Sequence, residues 1–165
     1  MRIIKIHVLF ISGLLFFLVS CRKLMPAGFW NDFHTDLIIS QKNDQGPWGG
    51  EREIHWKSNG KNKFTEKEII DFAAKNDWIL KQTVSLKTDT LKPTSLEHLK
   101  LDEYSIYLLK EKVISKLAPK EYKILIFKTT TVSIEPGNLD ETYQNGFVAL
   151  NQNGTELKIF HFWGE

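Results

Sequence analysis

Two stretches of the sequence place imidazole and carboxylate groups at alternate positions: Asp32, His34 and Asp36, then Glu51, Glu53 and His55. On an extended strand, alternate side chains share one face, and histidine with aspartate or glutamate is a donor set that zinc accepts. Three such residues span about 14 Å along one strand, so no more than two of them reach a single ion. A solvated strand face is the simpler expectation for each stretch. If the two strands paired, His34, Asp36, Glu53 and His55 would form a carboxylate–imidazole patch, able to hold a metal or shuttle a proton. Neither His-Glu-x-x-His nor Gly-x-Ser-x-Gly, the spacings that would strengthen that reading, occurs in the chain. The sequence therefore assigns no catalytic residue and no cofactor, and leaves those four residues as weak metal candidates.

Trp48 offers a different chemistry. It sits in Gly46-Pro47-Trp48-Gly49-Gly50, a large ring on a glycine-flanked loop, and tryptophan is enriched where partners bind. Two expectations stand side by side: a contact for an unidentified protein or small-molecule ligand, or a lid folded back over the core. Trp56, Trp78 and Trp163 fall in strand patterns and are expected in the core or at its edge. His161, within Phe160-His161-Phe162-Trp163, is expected to be a structural histidine, and His98 to lie at the surface.

The elements that must carry these groups follow from patterning. The clearest is a helix over Glu66–Lys75. Thr65 and Glu68 stand as a capping box, Phe64 and Ile69 as the hydrophobic staple beside it, and Ile69, Phe72 and Ala73 recur on one face. Asn76-Asp77 ends the helix. Trp78, Leu80, Val84 and Leu86 then alternate as a strand, with Gln82 as the exception. Glu51–Lys57 alternates too, with Ile54 and Trp56 inward, and Phe33–Ser40 reads as an earlier strand. Gln41–Gly50 reads as a polar loop between them. In the C-terminal third, Tyr122–Ile134 is strand-rich up to a turn at Glu135-Pro136-Gly137-Asn138. Phe147–Leu150 and Glu156–Trp163 flank Asn151-Gln152-Asn153-Gly154, a hairpin signal. A short helix is expected at Leu96–Leu101. Tyr104–Leu117 is read as a strand followed by a helical turn, with a continuous helix as the alternative. Together these predict an α+β domain: a mainly antiparallel sheet of five or six strands, with one principal helix on one face. The other face is expected to be open.

The N-terminus gives an address. Arg2 and Lys5 precede an apolar run from Ile6 to Val19, too short for a bilayer span of about 20 residues and suited to a signal peptide. Leu18-Val19-Ser20-Cys21 resembles the lipobox of bacterial lipoproteins. The resemblance covers residues 1–21 alone. It implies cleavage before Cys21, a diacylglycerol on its thiol and acylation of the new N-terminus, an anchor that two or three chains make firm. Residues 1–20 are thus expected as signal peptide, 21–28 as a lipid-anchored tether and 29–165 as a single domain. Arg22 follows the cysteine where an aspartate would signal inner-membrane retention in such lipoproteins, which favours the outer membrane facing the periplasm.

Cys21 is the sole cysteine, so the domain has no internal disulfide. Without Arg2 and Lys5 the formal charge falls from +2 to zero, which argues against a nucleic-acid partner. The favoured reading is a non-enzymatic binding or accessory module at a membrane surface, a class that includes immunity or inhibitor-type lipoproteins. The alternative is a small metal-assisted hydrolase built on His34 and His55.

Overall fold

A computed structural model describes residues 25–88, 96 and 99–165. Cys21 and the signal-peptide stretch lie outside the described residues, as do Glu97 and His98 of the helix expected at Leu96–Leu101; of the rest, Leu96 is in a 3-10 turn and Lys100 and Leu101 are not helical.

Six strands form the main sheet, in the order β1-β2-β8-β7-β4-β3, each antiparallel to its neighbours. They are β1 (Ile38–Gln45), β2 (Gly49–Lys57), β3 (Ile79–Lys87), β4 (Glu121–Lys128), β7 (Gly146–Asn151) and β8 (Glu156–Gly164). The two-residue strands β5 (Ser133–Ile134) and β6 (Glu141–Thr142) pair with each other, and β5 touches the end of β8. The α+β class and the mainly antiparallel sheet are as expected, with the two short strands added to the main six.

Helix α1 (Glu66–Ala74) starts where its sequence says it should. The Thr65 hydroxyl accepts from the Glu68 amide at 3.3 Å, and the Glu68 carboxylate accepts from the Thr65 amide at 2.9 Å. Phe64, Ile69 and Ala73 are buried against the sheet, and Asp77 at positive φ ends the turn, with the Trp78 amide reaching back to the Ala73 carbonyl. This face of the sheet is an aromatic core in which Trp30, Phe33, Trp56 and Trp78 meet Phe127, Val148 and Ile159. Ala27, within the stretch expected as tether, is buried in it as well.

The open second face is not found. Leu108, Leu109, Val113 and Leu117 cover it, packing on Tyr122, Ile124, Ile126, Phe147, Phe160 and Phe162. The cover is helical throughout: α2 (Glu103–Tyr107) runs into a π-helical turn, Leu108–Val113, and a 3-10 turn, Ile114–Lys116. The strand expected within Tyr104–Leu117 is therefore replaced by helix. The Asp102 side chain caps it, accepting from the Ser105 amide at 2.8 Å, and apolar residues three and four apart share the inward face. Burial on both sides was written in the uninterrupted runs Ile124-Leu125-Ile126-Phe127 and Phe147-Val148-Ala149-Leu150, which alternation would have broken with polar residues.

Three further expectations change. Phe33–Leu37 is not strand: Gly28–Asp32 and Thr35–Leu37 are 3-10 turns, with His34 between them at φ 40. A spacing of three puts both Trp30 and Phe33 into the core, which the period of a strand would forbid. Gln41–Gly50 is not a loop but most of β1, the hairpin turn and the first two residues of β2. In β3, Leu80 lies opposite Phe127 and Gln82 opposite Ile126, so Lys81 is an inserted residue. That bulge flips the strand: Leu80 packs on the α1 side and Val84 and Leu86 on the α2 side, rather than all on one.

Candidate binding surface

The β1–β2 hairpin carries the one tryptophan that faces solvent. Its turn closes through the Gly46 amide to the Gly49 carbonyl, 2.7 Å, leaving Pro47-Trp48 at the tip. Trp48 is 75% exposed, whereas Trp30, Trp56, Trp78 and Trp163 are all under 9%. The lid expectation is therefore replaced by an outward ring. Full burial of a large apolar side chain contributes about 1.5–3 kcal/mol, and Trp48 forgoes most of it.

The tip is held firmly at its base. The Glu165 amide donates to the Trp48 carbonyl at 2.7 Å, and Gly49 pairs with Gly164. Gly164 has φ 74, and a Cβ there would lie 2.0 Å from the Trp48 carbonyl oxygen. Only glycine permits both the backbone angle and the approach. Beside this base, on the α2 face, is a cleft of about 300 Å³ whose walls include Asp44, Glu51, Tyr104, Leu108, Lys112 and Phe162. An exposed indole on a clamped hairpin, next to an aromatic and charged cleft, is an arrangement suited to contact with a partner.

The carboxylates and imidazole of β2 are engaged by lysines. Glu51, Glu53 and His55 share the α2-side face, as their alternation implies. Lys42 bonds Glu51, and Lys116 lies 3.4 Å from both Glu51 and Glu53. Burial would raise the Glu51 carboxyl, but the Lys42 bond and the Lys116 charge outweigh it and hold the group below its ordinary range. His55 Nε2 lies 2.9 Å from Glu156, which Lys120 also pairs at 3.2 Å. Burial and the Lys158 charge nevertheless push the His55 imidazole down against the pull of Glu156.

His34 lies elsewhere. It rests against Phe33 and Phe64 and stands 3.7 Å from Glu68, on the α1 side of the sheet. Asp36 is exposed in its 3-10 turn, and Asp32 lines a separate cleft of about 470 Å³ between the N-terminal turns and the end of α1. The pairing that would have joined His34 and Asp36 to Glu53 and His55 is not made. Among the described residues no group of three or more histidine, cysteine or acidic side chains is placed to hold a metal.

Sequence reasoning passed over one cluster. Arg52, on the α1-side face of β2, is 5% exposed and lies opposite His161 of β8. Its Nη2 donates to the Met25 sulfur at 3.7 Å, while Nε and Nη1 have no partner among the described residues. Burial draws the guanidinium below its ordinary pKa. His161 is fully buried between Trp78 and Trp163, with Nε2 3.4 Å from the Thr129 hydroxyl and Nδ1 without a partner among the described residues. Burial, with the Arg52 charge adding to it, lowers its pKa to about 3. The structural role expected of His161 fits this setting, though its ring is not fully satisfied. The signal for Arg52 was available: it falls in phase with Ile54 and Trp56.

No described helix is long and apolar enough to cross a membrane. No protein-family model, curated protein or solved structure matches the chain, which leaves the hairpin and its cleft to carry the functional reading.

Proposed function

We propose that the protein is a non-enzymatic binding module held at a bacterial envelope membrane through lipid on Cys21, and that Trp48 is its contact with a protein or small-molecule partner. The observation that carries this reading is the solvent-facing indole on a tip clamped through Gly49 and Gly164. A fixed aromatic spends little conformational entropy on binding, and it gains on contact the burial it lacks in the free protein. The lipobox-like Leu18-Val19-Ser20-Cys21 supports the anchor, and Arg22 the outer membrane facing the periplasm. An inhibitor or immunity role is one form of the same module.

Capture from solubilised native envelopes tests the contact. The intact protein is expected to retain a component that Trp48→Ala loses and Leu139→Ala keeps, since Leu139 is 96% exposed on a different turn. The unfolding midpoint of Trp48→Ala should stay within about 0.5 kcal/mol of the parent, as for other surface changes. Equal capture by all three proteins would remove Trp48 from the proposal.

A further inference from the structure

The hairpin has a second unused feature, the outer edge of β1. Among the described residues β1 ends the main sheet and pairs only with β2, and it is exposed along Ile39–Gln45. Edge strands normally carry a defence against pairing with another chain, such as a bulge, a proline or several lysines. The opposite edge, β3, has its bulge at Lys81 and lysines at 81 and 87. β1 is irregular only between Ile38 and Ser40. From Ser40 to Gln45 it is regular, contains no proline and has the single lysine Lys42.

The charges on that regular stretch are arranged for one occupant. Asp44 lies directly opposite Glu51 within its own hairpin, and like charges so placed are unfavourable. Among the described residues no lysine, arginine or histidine forms an ion pair with Asp44. We propose that β1 pairs antiparallel with β1 of a second copy of this chain, about a two-fold axis at Asn43. Only alternate residues of an edge turn their amide and carbonyl outward, so the axis must pass through a residue position. An axis at Lys42 sets lysine against lysine, and one at Asp44 sets aspartate against aspartate. An axis at Gln41 leaves both charges without a counterpart. An axis at Asn43 sets Lys42 of each copy against Asp44 of the other, twice, and Gln41 against Gln45, twice. The two sheets then join into one, with the Lys42–Asp44 pairs on the α2-side face that also bears Glu51 and Glu53. The pairing is independent of what Trp48 contacts.

Sedimentation velocity on the full-length protein across a concentration series reads the association, with circular dichroism confirming the fold of each variant. The parent protein is expected to shift from monomer to dimer with concentration. Asp44→Lys, which removes none of the hydrogen bonds described above, sets Lys42 against lysine at both pairs and should weaken the dimer by about tenfold or more. Lys42→Asp sets acid against acid and should do the same. An equimolar mixture of the two variants restores opposite charges at both pairs and should form heterodimers as readily as the parent forms homodimers. A parent that stays monomeric at the highest attainable concentration overturns the proposal. So does a dimer indifferent to Asp44→Lys, or a mixture that associates no better than its components. Envelope capture retained by Asp44→Lys would show the dimer and the Trp48 contact to be separate properties.

Discussion

Arg52 and His161 set a cationic side chain and a histidine ring side by side in an aromatic interior, and among the described residues neither finds its full complement of hydrogen bonds. An unpaired buried charge is among the least favourable groups a core can hold, so this pair carries a measurable pH signature. The unfolded chain protonates His161 near 6.5, whereas the folded chain keeps it neutral down to about 3. The stability contributed by the neutral ring is whole above 6.5 and drains as pH falls through that window, because the unfolded state then binds the extra proton. Urea midpoints are expected to fall between about pH 7 and about pH 5, above the ordinary carboxylate range, and His161→Gln should make that limb shallower, leaving the part that the depressed His55 imidazole adds with the same sign. Arg52→Met replaces the guanidinium with an apolar chain of similar length. It should leave stability unchanged or raise it by up to about 4 kcal/mol, the span seen when buried ion pairs give way to well-packed apolar residues. An unchanged limb in His161→Gln, or a lower midpoint in Arg52→Met, would overturn this account of the pair.

Among the elements, α1 was the most legible, because its start is encoded locally in Phe64-Thr65 and Glu68-Ile69. Thr65→Ala is expected to destabilise the domain by about 1 kcal/mol, read as a shift of the urea midpoint; no shift would mean the reciprocal bonds contribute nothing in solution. The Asn151–Gly154 turn was equally plain, and the structure adds its fastening: the Asn151 side chain accepts from the Thr155 and Glu156 amides at 2.8 and 3.0 Å. What escaped notice depends on contacts distant in sequence. The run from Tyr104 to Leu117 is rich enough in aromatic and β-branched residues to read as strand, and packing against Phe147 and Phe160, added to the Asp102 cap, selects the helix. The flip at Lys81 was visible as an anomaly at Gln82, but a misplaced polar residue does not say whether a strand tolerates it or turns around it. For the candidate site, the sequence singled out Trp48 and gave no direction for its ring. It marked the acids of β2 without the lysines that reach them from β1 and the turn before β4. Both gaps have one cause, since orientation and pairing are set by the sheet rather than by neighbours along the chain.

At the scale of the whole molecule, one sheet serves two cores: an aromatic one under α1 and a largely aliphatic one under the α2 segment. β4, β7 and β8 are walls to both, whereas β1 reaches only the aromatic core, through Ile38, and from Ile39 through the turn is exposed. An edge strand and turn that contribute so little to the cores can be spent on contacts outside the molecule, and the lipid proposed on Cys21 would hold them near a membrane surface. Metabolic labelling with a fatty-acid analogue tests that anchor: the parent protein should take up label and Cys21→Ser should not, and label retained by the variant would sink the lipoprotein reading. The partition between interior and tip also divides the chain's indoles, four inside and one out. A water-borne collisional quencher would therefore darken Trp48 while the interior rings keep emitting. Shielding of that single fluorophore would report occupancy of the tip, with no dye attached and no change to the sequence.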